Sequence, residues 1–199
     1  YRPSATSRKL RSMQEFSVGM LIVDDSPAFL EDPFIAEIVA GLSNHLSSNN
    51  YSLNIQGIQP SDFSKASFFS NAGTDAICAI LCGSETSRRK KIDELLTLRQ
   101  PIIIFQDTLR FEDKNIALIN QDDYEGGYDI ASHVLANGAR NLLLLVPSTE
   151  WPAIEERKRG ILAAVDAVDT PAQLSVLFCS GEDFKETQTA IRINEEKHG

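Results

Sequence analysis

Cysteine, histidine and positive charge are scarce in this chain, and each scarcity removes a class of function. Only three cysteines occur, Cys78, Cys82 and Cys179. Their number is odd and no two form a C-x-x-C pair, so neither a disulfide framework nor a thiolate metal site is indicated. Cys78 and Cys82 fall on one expected strand, ~13 Å apart at the strand rise, too far to bond each other. Buried free thiols in a reducing, cytoplasmic compartment are the simpler reading. His45, His133 and His198 are scattered over expected helices without ligand spacing, so no metal site is expected. No apolar run approaches the roughly 18 residues of a membrane span, and the basic N-terminal residues lack the apolar stretch of a secretory signal. The sequence has no G-x-S-x-G elbow, no G-x-G-x-x-G turn, no P-loop and no Cys–His pairing at interpretable spacing. Acids without a paired base or metal are weak evidence for catalysis. The expectation is a chain that is not an enzyme and needs no cofactor.

What is present is an ordinary globular composition with an uneven charge. The 199 residues can bury a sizeable core as one large domain or two smaller lobes. A formal net charge of −9 argues against nucleic-acid binding over the whole surface. Yet Arg2, Arg8, Lys9 and Arg11 lie within the first twelve residues, which hold no acid. A basic arm thus precedes an acidic body. Ser4 can cap a short helix from Ala5 to about Arg11, too short to be stable alone.

The body alternates apolar runs with amphipathic stretches. Strands are expected at Val18–Val23, Tyr51–Ile58, Asp75–Leu81, Pro101–Phe105, Ile116–Ile119, Leu142–Val146 and Leu174–Cys179. Between the first two, Asp32-Pro33 reads as an N-cap and N1 proline. The helix that follows carries Ile35, Ile38, Val39, Leu42 and Leu46 inward, and its Gly41 is expected to mark close packing on the sheet. A short helix is expected over Ser61–Asn71. Another, over Arg88–Arg99, opens with four cations taken as a solvated face, and a polar helix is expected over Asp183–Lys197.

The stretch from Ile116 to Gly160 organises the rest. Its first strand breaks into an acidic turn at Asp122 and Asp123. Gly127, Ile130, Ala131, Val134 and Leu135 then form one helical stripe, closed by Asn137-Gly138. The apolar run Leu142–Val146 suits a strand covered on both faces. It ends in the loop Pro147–Pro152, and a helix from about Ala153 turns Ile154, Ile161, Leu162, Val165 and Val168 inward. The order implies parallel strands, whose ligands sit beyond the strand carboxyl ends. Asp122, Trp151 and Arg157 fall there. Carboxylates, an indole and a guanidinium around one crevice suit a small polyhydroxylated or anionic ligand, although turn-forming acids and a solvated Arg would give the same pattern.

D-D-Y-E-G-G, then A-S-H-V-L, Gly138, a leucine-rich strand and the pair Arg157…Gly160 together resemble the lac repressor/galactose repressor family of bacterial transcription regulators. The N-terminal Y-R-P-S-A-x-x-R-x-L-R is similar to that family's hinge. The resemblance implies an α/β, parallel-sheet, periplasmic-binding-protein-like sandwich with a first lobe and an incomplete second lobe. It divides the chain into a hinge at 1–15, an N-terminal lobe at 16–120 and a partial C-terminal lobe at 121–199. It also implies a homodimer in which a small-molecule effector, a sugar or sugar derivative in an interlobe cleft, controls binding to operator DNA. On matching positions Asp25, Phe34, Asp107, Asp122, Trp151 and Arg157 would contact the effector. Leu10 would wedge into the minor groove between Arg8 and Arg11. Family members also carry a helix-turn-helix headpiece and a longer second lobe, neither of which is expected within these residues. Ser7, Ala139 and Pro147 depart from the family's usual residues. A solute-binding protein of a sugar transporter shares the architecture, but it would need an export signal and has no use for the basic arm.

Overall fold

A single apolar run, Phe16–Val23, makes the centre of the first sheet. In the computed structural model, which describes residues 16–26, 28–70, 74–179, 185, 187–189 and 191–193, this strand β1 is buried at every position after Phe16. Near-continuous apolar sequence is what a parallel strand buried on both faces requires. β2 (Tyr51–Ile58), β3 (Ala76–Leu81), β4 (Ile102–Phe105) and β5 (Ile116–Ile119) complete a five-stranded sheet in the order β2-β1-β3-β4-β5. All pairings are parallel, with Met20 opposite Ile55 on one side and Cys78 on the other. The expected hinge at 1–15, with Arg8, Leu10 and Arg11, lies outside the described residues, as does most of the polar helix expected over 183–197.

The chain divides into two compact units. Unit 1 holds the five-stranded sheet; unit 2 comprises residues 120–199 with the short segments 82–85 and 106–108. In unit 2, β6 (Asn141–Pro147) pairs with β7 (Gln173–Cys179), again in parallel. β5 and β6 therefore belong to different sheets. The strand–helix–strand reading from Ile116 to Val146 gives the element types correctly, but those two strands are not partners.

Helices follow the capping signals closely. α1 (Pro33–Ser48) starts where the Asp32 side chain accepts from the Phe34 N–H at 2.8 Å, with proline in the first turn. Only Ile35 of its expected stripe is fully buried. Gly41 is exposed with open space where a Cβ would sit, so it does not mark close packing on the sheet. The helix expected over Ser61–Asn71 is broken into a 3-10 turn, Pro60–Lys65, and a four-residue helix α2 (Ser67–Ser70). Phe63, Ala66 and Phe68 turn inward.

α3 (Glu85–Leu96) starts three residues before its expected position and corrects the reading of its cations. Arg88 and Lys91 are buried with Ile92 and Leu95. The reason is helical spacing: positions 88, 91, 92 and 95 are i, i+3, i+4, i+7 and share one stripe, so the long aliphatic stems of the two cations pack with the apolar side chains. The Lys91 ammonium donates to the Ser87 hydroxyl at 2.5 Å, and Arg89 lies over the Phe111 ring, 5.2 Å from its centroid.

Unit 2 is built on α4 (Asp123–Ala136) and α5 (Pro152–Asp166). Ala131 and Leu135 of α4 meet Ile161 and Ala164 of α5, backed by Leu142, Leu144 and Leu174 of the sheet. Asn137 caps α4 and Gly138 takes φ 96°, as a left-handed C-terminal turn requires. Ile130 and Val134 of the expected stripe are exposed, and so is Leu162 of α5. β6 is not covered on both faces either: Leu143 and Leu145 point to a face that is open among the described residues. No helix among the described residues is long and apolar enough to cross a membrane.

Candidate functional site

Two glycines fix how α4 meets α5. A Cβ on Gly127 would run into the backbone carbonyl of Arg157, and one on Gly160 would run into that of Tyr124. The two helices thus touch backbone to backbone at reciprocal positions, which only glycine permits. This close crossing sets the first turn of α4 beside the first turns of α5.

That approach creates an ion pair. Asp123, the first residue of α4, is buried; Nε of the Arg157 guanidinium donates to its Oδ1 at 2.8 Å, and Nη2 lies 2.7 Å from the same oxygen as an ion pair. The carboxylate side chain is 7% exposed and the guanidinium side chain 45%, so Arg157 bridges from a buried acid toward solvent. Asp122 sits one residue earlier as the N-cap, its Oδ1 accepting from the Glu125 N–H at 3.1 Å.

Around the pair lies an open hollow of ≈ 450 Å³ within unit 2. Gln121, Asp122, Asp123, Arg157 and Lys158 supply its polar wall, while Ile130, Ile154 and Ile161 give it an apolar side. Leu144, Leu145 and Val146 also line it. Successive strand residues point to opposite faces, so three consecutive lining residues mean that the hollow runs along an edge of β6. Among the described residues that strand is paired only with β7.

The sequence-predicted residues distribute as follows. Asp122 and Arg157 line the same hollow. Trp151 does not; it occupies the N-cap position of α5 without a side-chain cap. The loop holding it is tied down by Gly83, whose N–H donates to the Glu150 carbonyl at 2.8 Å, and by Ser148, whose N–H donates to the Cys179 carbonyl at 3.0 Å. Asp107 is buried in unit 2, and its backbone carbonyl accepts from the Asn120 side chain at 2.7 Å. Asp25 and Phe34 belong to unit 1, the first exposed in the bend after β1 and the second half-buried in the first turn of α1.

Asp123 is the residue that sequence reasoning passed over in favour of its neighbour. Its signal was present: positions 123, 127, 131 and 135 are spaced by four and form the inward row of α4. A carboxylate on that row must be met by a cation, and Arg157 heads the facing row of α5 with Gly160, Ile161 and Ala164.

No family model matches the chain. Over 176 residues it is 24% identical to the HTH-type transcriptional repressor PurR of Actinobacillus pleuropneumoniae, covering 87% of this chain and 49% of the repressor. The chain thus spans about half the length of the curated relatives it matches. Among solved structures, a carbohydrate transporter from Acidothermus cellulolyticus in complex with myo-inositol superposes with a TM-score of 0.73 at 17% identity, over 92% of this chain and 62% of that one. The Cra transcriptional dual regulator from Pseudomonas putida, in complex with fructose 1-phosphate, superposes with a TM-score of 0.69 at 19% identity, over 92% and 65%. The superpositions on solved structures give the chain an α/β, periplasmic-binding-protein-like fold.

Proposed function

We propose that this chain, similar in sequence and fold to the regulators of the lac repressor/galactose repressor family, is the ligand-sensing core of a transcription regulator. It works as a cytoplasmic homodimer, and a small sugar-like effector controls its affinity for operator DNA. The observation that carries this reading is the setting of Arg157. The D-D-Y-E-G-G and Arg157…Gly160 motifs meet in space, with Gly127 and Gly160 making the helix crossing and Arg157 standing on a polar wall beside Asp122 and Asp123. Two motifs that meet in one piece of geometry are better evidence than the same letters in a row. Asp25 and Phe34 on unit 1, and Asp107 and Trp151 on unit 2, belong to the same proposal as further effector contacts. Arg8, Leu10 and Arg11 are its DNA contacts.

Control follows from linkage: an effector alters DNA affinity only by its differential affinity for two states of the core. The decisive experiment is a thermal-shift panel of sugars, nucleosides and sugar phosphates. Stabilisation by one class, lost in Arg157→Ala, supports the reading; a hit bound equally well by Arg157→Ala removes Arg157 from the site. For the DNA arm, enrichment of genomic fragments by the protein is expected to weaken in Leu10→Ala with effector affinity intact.

The second reading is a solute-binding protein, favoured by the likeness to the inositol-bound transporter component. It predicts sugar binding with no DNA retention at any salt concentration, so the fragment-enrichment measurement separates the two.

A further inference from the structure

The Asp123–Arg157 pair bears on the charge of the ligand. We propose that the rim of unit 2 selects an uncharged polyhydroxylated ligand over the phosphate esters of the same sugars, with Asp123 as the positioning residue that sets the preference. This rests on the sensor reading above and narrows it.

Proteins hold phosphate mainly with guanidinium forks and with the free N–H groups of helix N-termini. Both devices are matched by carboxylates here. Nε of Arg157 donates to Asp123 Oδ1 and Nη2 pairs with the same oxygen at 2.7 Å, so a buried carboxylate balances the guanidinium. The N-terminus of α4 is capped by the Asp122 carboxylate and carries Asp123 and Glu125 in its first turn. That charge occupies the place an incoming anion would take. α5 opens with Pro152, which has no N–H to give, and holds Glu155 in its first turn. The other cation of the hollow, Lys158, has its ammonium 3.9 Å from the Glu155 carboxylate. Asp122, Asp123 and Glu155 thus outnumber Arg157 and Lys158, and a phosphate dianion would enter against that balance.

An uncharged polyol meets no such opposition. A guanidinium has five N–H groups, so Arg157 retains donors beyond those spent on Asp123, and Asp122 places an acceptor on the same wall. Donor and acceptor side by side fit adjacent hydroxyls, each of which both gives and takes a hydrogen bond. The apolar side formed by Ile130, Ile154 and Ile161 suits the C–H face of a sugar ring. Asp123 acts through Arg157, by holding the guanidinium in place and cancelling its charge.

The test is calorimetric titration of the full chain with neutral sugars and myo-inositol, with the phosphate esters of the same compounds, and with inorganic phosphate. The expected result is a neutral ligand bound at least tenfold more tightly than its own ester. Asp123→Asn should shrink that ratio at least tenfold or invert it, while Asp123→Glu should largely keep it. A merely structural role for Asp123 would weaken both ligands equally and leave the ratio unchanged. Should Asp123→Asn not fold, Glu155→Gln, which removes an exposed rim charge at a residue that does not line the hollow, should also shrink the ratio. Preference for the ester in the parent protein, or a ratio untouched by the folded variant, overturns this inference and leaves the sensor reading standing. A panel in which neither form binds overturns both.

Discussion

Arg157 faces two ways, toward a buried carboxylate and toward the hollow, and its replacement should separate the two roles. Arg157→Ala leaves Asp123 buried without its partner, a loss of about 1–3 kcal/mol because the guanidinium is half exposed rather than fully enclosed. The measurable outcome is a lower urea midpoint without ligand, in addition to the lost ligand response. Glycine gives a sharper contrast. Gly127→Ala and Gly160→Ala each drive a methyl into a backbone carbonyl that cannot yield without moving a helix, so about 1–3 kcal/mol or more should be lost. Gly41→Ala meets open space inside α1 and should gain about 0.5–1 kcal/mol. Calorimetric melting of the three variants checks both signs, and a stabilised Gly127→Ala would refute the backbone-contact account. Cys78 adds a pH dependence. Burial favours its neutral thiol and pushes its pKa from 9.0 up to about 11. A raised folded-state value gives stability that is complete below pH 9 and is lost as pH climbs toward 11. Urea midpoints should fall over that window by less in Cys78→Ala than in the parent, and native Cys78 should resist alkylation at pH 8.

At the scale of the element, burial divides single helices into strips with opposite tolerances. On α4, Leu135 is 2% exposed and Ile130 58%. Leu135→Ala should therefore cost about 2–5 kcal/mol. Ile130→Gln, and Leu145→Thr on β6, should shift stability by only about 0.5 kcal/mol and reduce aggregation, since they dilute an apolar surface. Denaturant titration with light scattering on the same samples reads both. The same strips explain what the sequence disclosed. Apolar runs, and alternation at Tyr51–Ile58, located the seven described strands within a residue or two, because side-chain period and burial of the sheet faces are written locally in the sequence. Capping chemistry at Asp32 and Asn137-Gly138 placed two helix ends, because a local hydrogen bond needs no knowledge of the fold. What stayed hidden depends on partners distant in sequence. Periodicity cannot distinguish the 127/131/135 row of α4 from its 130/134 flank until α5 is seen to cover only the first. For the same reason Asp122 was named from its position after a strand, whereas Asp123 is recognised only once Arg157, 34 residues later, is found facing it. The burial of Arg88 and Lys91 was legible in their spacing from Ile92 and Leu95, and four consecutive cations obscured it.

On the scale of the whole molecule, the two units are stabilised to different degrees by what each encloses. In unit 1 the strands β1 and β3 are flanked on both sides, and Met20, Leu21, Ile22, Ile77 and Ile80 are essentially inaccessible to solvent. Among the described residues the sheet of unit 2 has two strands; a two-stranded sheet is marginal by itself, and Leu143 and Leu145 of β6 are exposed. Amide exchange reports the free energy of opening region by region. The amides of Met20–Val23 and Ile77–Leu81 should therefore exchange last, and those of Leu143–Val146 and Leu174–Phe178 markedly earlier. A ligand anchored on the wall formed by Asp122 and Arg157 should slow exchange in α4, α5 and β6 more than in the core strand β1, even with Asp25 and Phe34 as its contacts on unit 1. Mass-spectrometric exchange with and without a neutral sugar found by titration measures both orders. Slower exchange in β6 than in β1 without ligand would contradict the difference in enclosure. Ligand protection confined to unit 1 would move the site away from Arg157 even if binding itself were secure.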